Sequence, residues 1–138
     1  MRHEQMFPSM RRFTILFALW LFAAGVSAQS PNAIVQKFPD VLAVKARTQT
    51  SGKFDFDVTV SSPYDSPNRY ADGFRVMGKD GRVYGERTLW HDHAGEQPFT
   101  RDLYGVTIPR GVRTVVLQAR DKKYGYGGGI AEVVLPGR

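Results

Sequence analysis

"KFDFDVTVS", residues 53–61, decides the fold. Phe54, Phe56, Val58 and Val60 alternate with Asp55, Asp57, Thr59 and Ser61. Successive side chains of an extended strand point to opposite faces, so this run has one apolar face and one polar face. That is the pattern of an antiparallel strand with a core on one side and water on the other. Upstream, "VLAVKARTQ" places Leu42, Val44 and Ala46 together on one face of a second strand. Downstream, "GFRVMG" and "RVYGERTLWHDH" flank the tight turn "KDG" at 79–81 and read as a hairpin. A weaker strand lies between Phe99 and Val106, closed by "IPRGV". "VRTVVLQAR" and "IAEVVLP" give two more, joined by the glycine-rich "DKKYGYGGG". No segment has helical periodicity. About seven short strands with a turn signal every ten residues or so predict an all-β fold. It is a single immunoglobulin/fibronectin-like antiparallel β-sandwich.

The remainder of the 138 residues organises around this domain. Met10-Arg11-Arg12, the apolar run "FTILFALWLFAAGV" at 13–26 and the small residues of Val26-Ser27-Ala28 read as a secretory signal peptide, residues 1–28. The start codon is Met1 or Met10. Residues 29–40 read as a loose N-terminal arm and 41–138 as the sandwich. The expected location is the periplasm or the extracellular medium, with no membrane anchor once the signal is cleaved and a monomer as the state in solution. The chain has no cysteine, which removes disulfides, thiolate metal sites and a cysteine nucleophile. From residue 29 onward, sixteen Lys and Arg stand against twelve Asp and Glu, a net charge of +4. The cations are scattered, with no run of four, so nucleic acid is not an expected partner.

Antiparallel strands send alternate loops to the same end. One end collects the bland turns at 50–52, 78–81 and 108–111. The other collects the loops 62–72, 91–98 and 121–129, which hold most of the unusual residues. Tyr64, Asp65, Arg69, Tyr70, Tyr124 and Tyr126 are the expected ligand-binding residues of this pole, because tyrosine among glycine and serine suits adaptable contact. The expected partner is a protein or a carbohydrate. Trp90 alternates away from the histidines and is assigned to the core or sheet surface, not to a ligand platform.

The same pole carries "LWHDHAGEQPFTR", residues 89–101. Read as a strand end, His91 and His93 face one side together and suit Zn²⁺ or Cu²⁺, with Glu96 as third ligand ahead of Asp92 or Asp65. The preferred reading needs no metal or other cofactor. The histidines and Asp92 bond loop backbone, Glu96 pairs with Arg101 or Arg69, Gln97 bonds backbone before Pro98, and Phe99 plugs the core. A hydrolase comes third. His91 with Asp92 or Glu96 would serve Ser62 or Ser66, or Glu96 would pair with Asp65, but no nucleophile elbow or oxyanion motif is present. The protein is therefore expected not to be an enzyme.

The run from Lys53 to Pro136 resembles a group of small exported bacterial proteins of unknown function. They share YAD-x-x-RV, HDH-x-x-EQPFTR, GV-x-IP, and RD followed by a G-Y-G-G turn. The matching positions are Tyr70, Asp72, Arg75, His91, Asp92, His93, Glu96, Gln97, Thr100, Arg101, Arg120 and Asp121. The resemblance implies export and one shared small fold, and it brings no activity. A histidine near a glutamate in a β-sandwich is also faintly similar to the iron site of superoxide reductases. The cysteine ligand and most histidines of that site are missing, so its activity is not carried over.

Overall fold

The computed structural model describes residues 36–138. Residues 1–28, expected to be a signal peptide, and the first part of the expected arm lie outside the described residues. Eight strands follow in order: β1 (Asp40–Thr48), β2 (Lys53–Ser61), β3 (Ala71–Met77), β4 (Val83–Thr88), β5 (Phe99–Thr107), β6 (Thr114–Asp121), β7 (Gly125–Tyr126) and β8 (Ala131–Val134). They form two antiparallel sheets, one ordered β1-β2-β5 and the other β4-β3-β6-β7, with β8 also pairing β6. The result is an immunoglobulin/fibronectin-like sandwich with no helix among the described residues.

The alternation in β2 works as its sequence dictates. Phe54, Phe56, Val58 and Val60 are buried, and they pack with Phe74 and Val76 of β3 and with Val115, Leu117 and Ala119 of β6. Each such side chain contributes about 1.5–3 kcal/mol of hydrophobic stabilisation on burial. Phe99, Val106, Ile108 and Leu135 close the ends of this layer. Arg87 ties the sheets at one open side, donating to the carbonyl and carboxylate of Asp102 at 2.9 and 3.0 Å.

Three expectations are corrected. In β1 the pairing register shifts between Val41 and Ala43. The bulge changes the phase of the strand, so Val41 is buried with Val44 and Ala46 behind it, while Leu42 is 57% exposed. The strand before the histidines ends at Thr88, not at His93. Residues 36–40, assigned to the loose arm, are fastened to the sandwich. Gln36 Nε2 donates to the Ser61 carbonyl at 2.9 Å, Pro39 is buried, and the Val41 N–H reaches the Gly129 carbonyl at 2.8 Å. The glycine run makes room for this. A Cβ on Gly127 would meet the Phe38 ring at 2.5 Å, and one on Gly128, whose φ is +76°, would lie 2.1 Å from the Pro39 carbonyl oxygen.

Candidate functional site

The three long loops do meet at one end. They are joined through two buried carboxylates rather than through a ligand cavity. Asp65, in the β2–β3 loop, accepts the Ala71 N–H on Oδ1 at 3.0 Å and the His93 N–H on Oδ2 at 2.9 Å. It thus locks the β4–β5 loop to the loop that carries it. Asp121, at the end of β6, accepts the N–H groups of Lys123 and Tyr124 on Oδ2, both at 2.9 Å. Its Oδ1 lies 3.2 Å from Arg69 Nε. Burial alone would raise the Asp121 pKa; the Tyr64 hydroxyl beside it, the two N–H groups and Arg69 outweigh burial and hold it below the carboxylate range. Burial beside Asp121 pushes the Tyr64 hydroxyl up, so the phenol stays protonated.

"HDHAGEQPF" folds into a self-bonded loop. His91 Nδ1 lies 2.8 Å from the Asp92 carbonyl oxygen, and Asp92 Oδ2 accepts the Ala94 N–H at 3.3 Å. Gln97, ahead of a cis bond to Pro98, accepts the Ser62 N–H at 2.7 Å and donates to Ser62 Oγ and the His93 carbonyl, both at 3.2 Å. Ser62 is fully buried in this arrangement and Ser66 bonds Arg69 in a local turn, so neither serine is presented as a nucleophile. Glu96 pairs with Arg101 at 3.0 Å. The His91 and His93 rings do lie side by side, 4.9 Å apart, although they sit in a loop and not on a strand. Among the described residues no group of three or more His, Asp or Glu is placed to hold a metal ion.

His93 belongs to the packing. Its ring is 3% exposed and stacks on Phe99 at 3.9 Å, with Nδ1 unbonded 4.0 Å from Asp65 Oδ2. Burial holds its pKa below the ordinary imidazole value; Arg101 and His91 add to this, while Asp65 and Glu96 oppose it. The unfolded chain takes up a proton near pH 6.5 that the folded domain still refuses. The unfolded state then binds more protons, so stability rises with pH. It is fully present above about pH 6.5 and falls as the pH drops toward the folded value, by up to about 1.4 kcal/mol per pH unit. Melting curves of the wild type and His93→Phe, which keeps a ring on Phe99, check this. The wild type should lose stability faster between about pH 7 and pH 5, and parallel curves would reject the buried neutral imidazole.

The tyrosines divide. Tyr64 and Tyr70 are packed into the end of the sandwich, Tyr64 under the Arg69 guanidinium at 4.0 Å. Tyr124 is 44% exposed. Tyr126 is not on the pole. It lies in β7 paired with Arg120, on the outer sheet face, 3.8 Å from the Arg75 guanidinium and bonded to Glu86 at 3.1 Å. Trp90, expected in the core or on the sheet surface, lies beyond the end of β4 in a loop. It is 83% exposed, and its backbone carbonyl accepts the Tyr70 hydroxyl at 3.2 Å. Lys37, Lys122 and Lys123, which read in the sequence only as scattered cations, are exposed as well, and they lie against Tyr124 and Tyr70. The signal available was a lone tryptophan in a polar stretch. The opposite end holds cavities of 360 and 430 Å³, lined in part by Lys79, Tyr84 and Arg113 and by Thr107, Arg110 and Arg138 respectively. No family model matches the chain, and neither a curated protein nor a solved structure matches it.

Proposed function

We propose that this protein is an exported, non-enzymatic binding module that takes a protein or carbohydrate ligand on the loop pole. The observation that carries the reading is Trp90. A tryptophan exposed to 83% on a loop fastened at Leu89, Trp90 and His93 is a rigid aromatic face without a partner among the described residues. Exposed aromatic groups on fixed loops offer contact area at low entropic cost. The leader at 1–28 and the resemblance to small exported proteins support export, and the absence of a presented nucleophile supports a binding role.

Metal binding is the weaker reading. The adjacent His91 and His93 rings favour it, but Glu96 is occupied by Arg101. The test uses the protein exported by its own leader. Mass spectrometry of the recovered chain should give a first residue near 29. Trp90 is then the sole tryptophan and reports directly on the pole. Titration with a panel of soluble polysaccharides should give saturable quenching with at least one, weakened about tenfold by Tyr124→Ala. A panel that leaves Trp90 emission unchanged rejects a carbohydrate ligand on this pole.

A further inference from the structure

The cations of the pole stand against its aromatic rings. Lys122 Nζ is 4.8 Å from the Tyr70 ring centre, and Tyr124 lies between Lys37 and Lys123, at 4.8 and 5.3 Å. The Arg69 guanidinium lies 4.9 Å from the same Tyr124 ring. Two carboxylates of the pole are buried and occupied: Asp121 by Arg69 and two N–H groups, Asp65 by two N–H groups. None of Lys37, Lys122 and Lys123 pairs with a carboxylate among the described residues. The Tyr70–Tyr124 side of the pole is therefore a cluster of cations with aromatic rings set into it, beside the acidic tip that carries Asp92 and Glu96. Such a surface raises the local concentration of anions and holds them by direct contact.

We propose that its ligand is an anionic polysaccharide, a chain of pyranose rings carrying carboxylates. This rests on the reading of the pole as a binding site. Each unit of such a polymer presents an apolar ring face and one negative charge. The pole offers the matching elements: the exposed rings of Trp90 and Tyr124, Lys37 and Lys123 against Tyr124, and Lys122 over the buried Tyr70. An acidic peptide supplies the charges but no rigid ring face for Trp90. An anionic bilayer would meet His91, Asp92, Gly95 and Glu96 beside Trp90, a polar and partly acidic tip rather than an apolar one.

The experiment is calorimetric titration of the exported protein with polygalacturonate and with its methyl ester, which keeps the rings and removes the charge. Polyglutamate and phosphatidylglycerol vesicles are run beside them. Polygalacturonate should bind saturably and more weakly as salt rises. Lys122→Ala/Lys123→Ala and Trp90→Ala should each weaken it about tenfold or more, whereas Lys53→Ala, at the far end of β2, should leave it within about twofold. Unchanged melting curves show that the variants are folded. Equal binding of the methyl ester overturns the anionic assignment and leaves the pole as a site. Equal binding of polyglutamate, unaffected by Trp90→Ala, overturns the polysaccharide assignment, as does binding of vesicles alone. No binding by any probe overturns this inference alone, and the polysaccharide panel read by Trp90 emission decides the carbohydrate reading beneath it.

Discussion

Asp121→Ala is expected to cost the domain about 3–5 kcal/mol, because it removes one member of a buried charge network and leaves the others unpaired. The carboxylate is fully buried and serves the N–H groups of Lys123 and Tyr124 together with Arg69. Without it the Arg69 side chain keeps only its contacts to the carbonyls of Gln36 and Lys37 and to the tyrosine rings. A domain of about 100 residues loses roughly 4–8 °C in melting temperature per kcal/mol, so a drop beyond about 12 °C is expected. Asp121→Asn should cost less, about 1–3 kcal/mol. Both N–H groups converge on Oδ2, and a single amide oxygen can accept both. What asparagine lacks is the charge facing Arg69. The depressed pKa adds a pH signature: the stability from this group is present above the ordinary carboxylate value of about 3.9 and fades as the pH falls below it toward the folded value. Chemical denaturation of both variants checks the ordering. An alanine variant within about 1 kcal/mol of wild type would mean that the clamp does not hold the pole together.

The core was legible because its signal is local. In β2 the period of two runs unbroken over nine residues, and burial follows it residue by residue. The gathering of the three loops was legible from parity, since antiparallel strands must return alternate loops to one end. What was not legible depends on partners distant in sequence. The bulge that turns Leu42 outward is set by pairing with β2, and nothing in "VLAVKA" marks it. Tyr126 left the pole because two residues pair with β6 to make β7, too short a strand to show a period. Trp90 was misplaced for a simpler reason. Alternation was carried past Thr88 into a loop, where it no longer governs direction. The glycines of 127–129 read only as part of a glycine-rich connection between strands, yet their function in the fold is to admit Phe38, Pro39 and Asp40.

The chemistry of "HDHAGEQPFTR" shows the same division. Its polar residues announced a knot or a site, and the sequence ranked the knot first. The partners of that knot were only partly readable. Arg101 for Glu96 lies five residues away, whereas Ser62 for Gln97 lies thirty-five away and Asp65 for His93 twenty-eight. A residue can be recognised as polar and constrained from its neighbours alone. Whether it faces a ligand or a loop is decided by chain segments that the neighbours do not specify.

Asp65→Ala is the counterpart of the first prediction, and it should differ in one telling respect. Asp65 uses both oxygens, one for the Ala71 N–H and the other for the His93 N–H. Truncation leaves two buried donors unpaired, and each costs about 1–3 kcal/mol, so a loss of about 2–6 kcal/mol is expected. Asparagine offers one oxygen, and its amide nitrogen would point at the second donor. Asp65→Asn should therefore fall within about 1 kcal/mol of Asp65→Ala, with no rescue of the kind expected at Asp121. The damage should also be directional. Freed from Asp65, the His93 backbone and the Phe99 stack next to it lose their anchor to the β2–β3 loop, and Trp90 loses its fixed setting three residues earlier. Hydrogen exchange should show faster exchange across 89–98 than across the strands of the core. Equal, global acceleration would mean that Asp65 supports the whole sandwich; rescue by asparagine would mean that one of the two hydrogen bonds carries the contact alone.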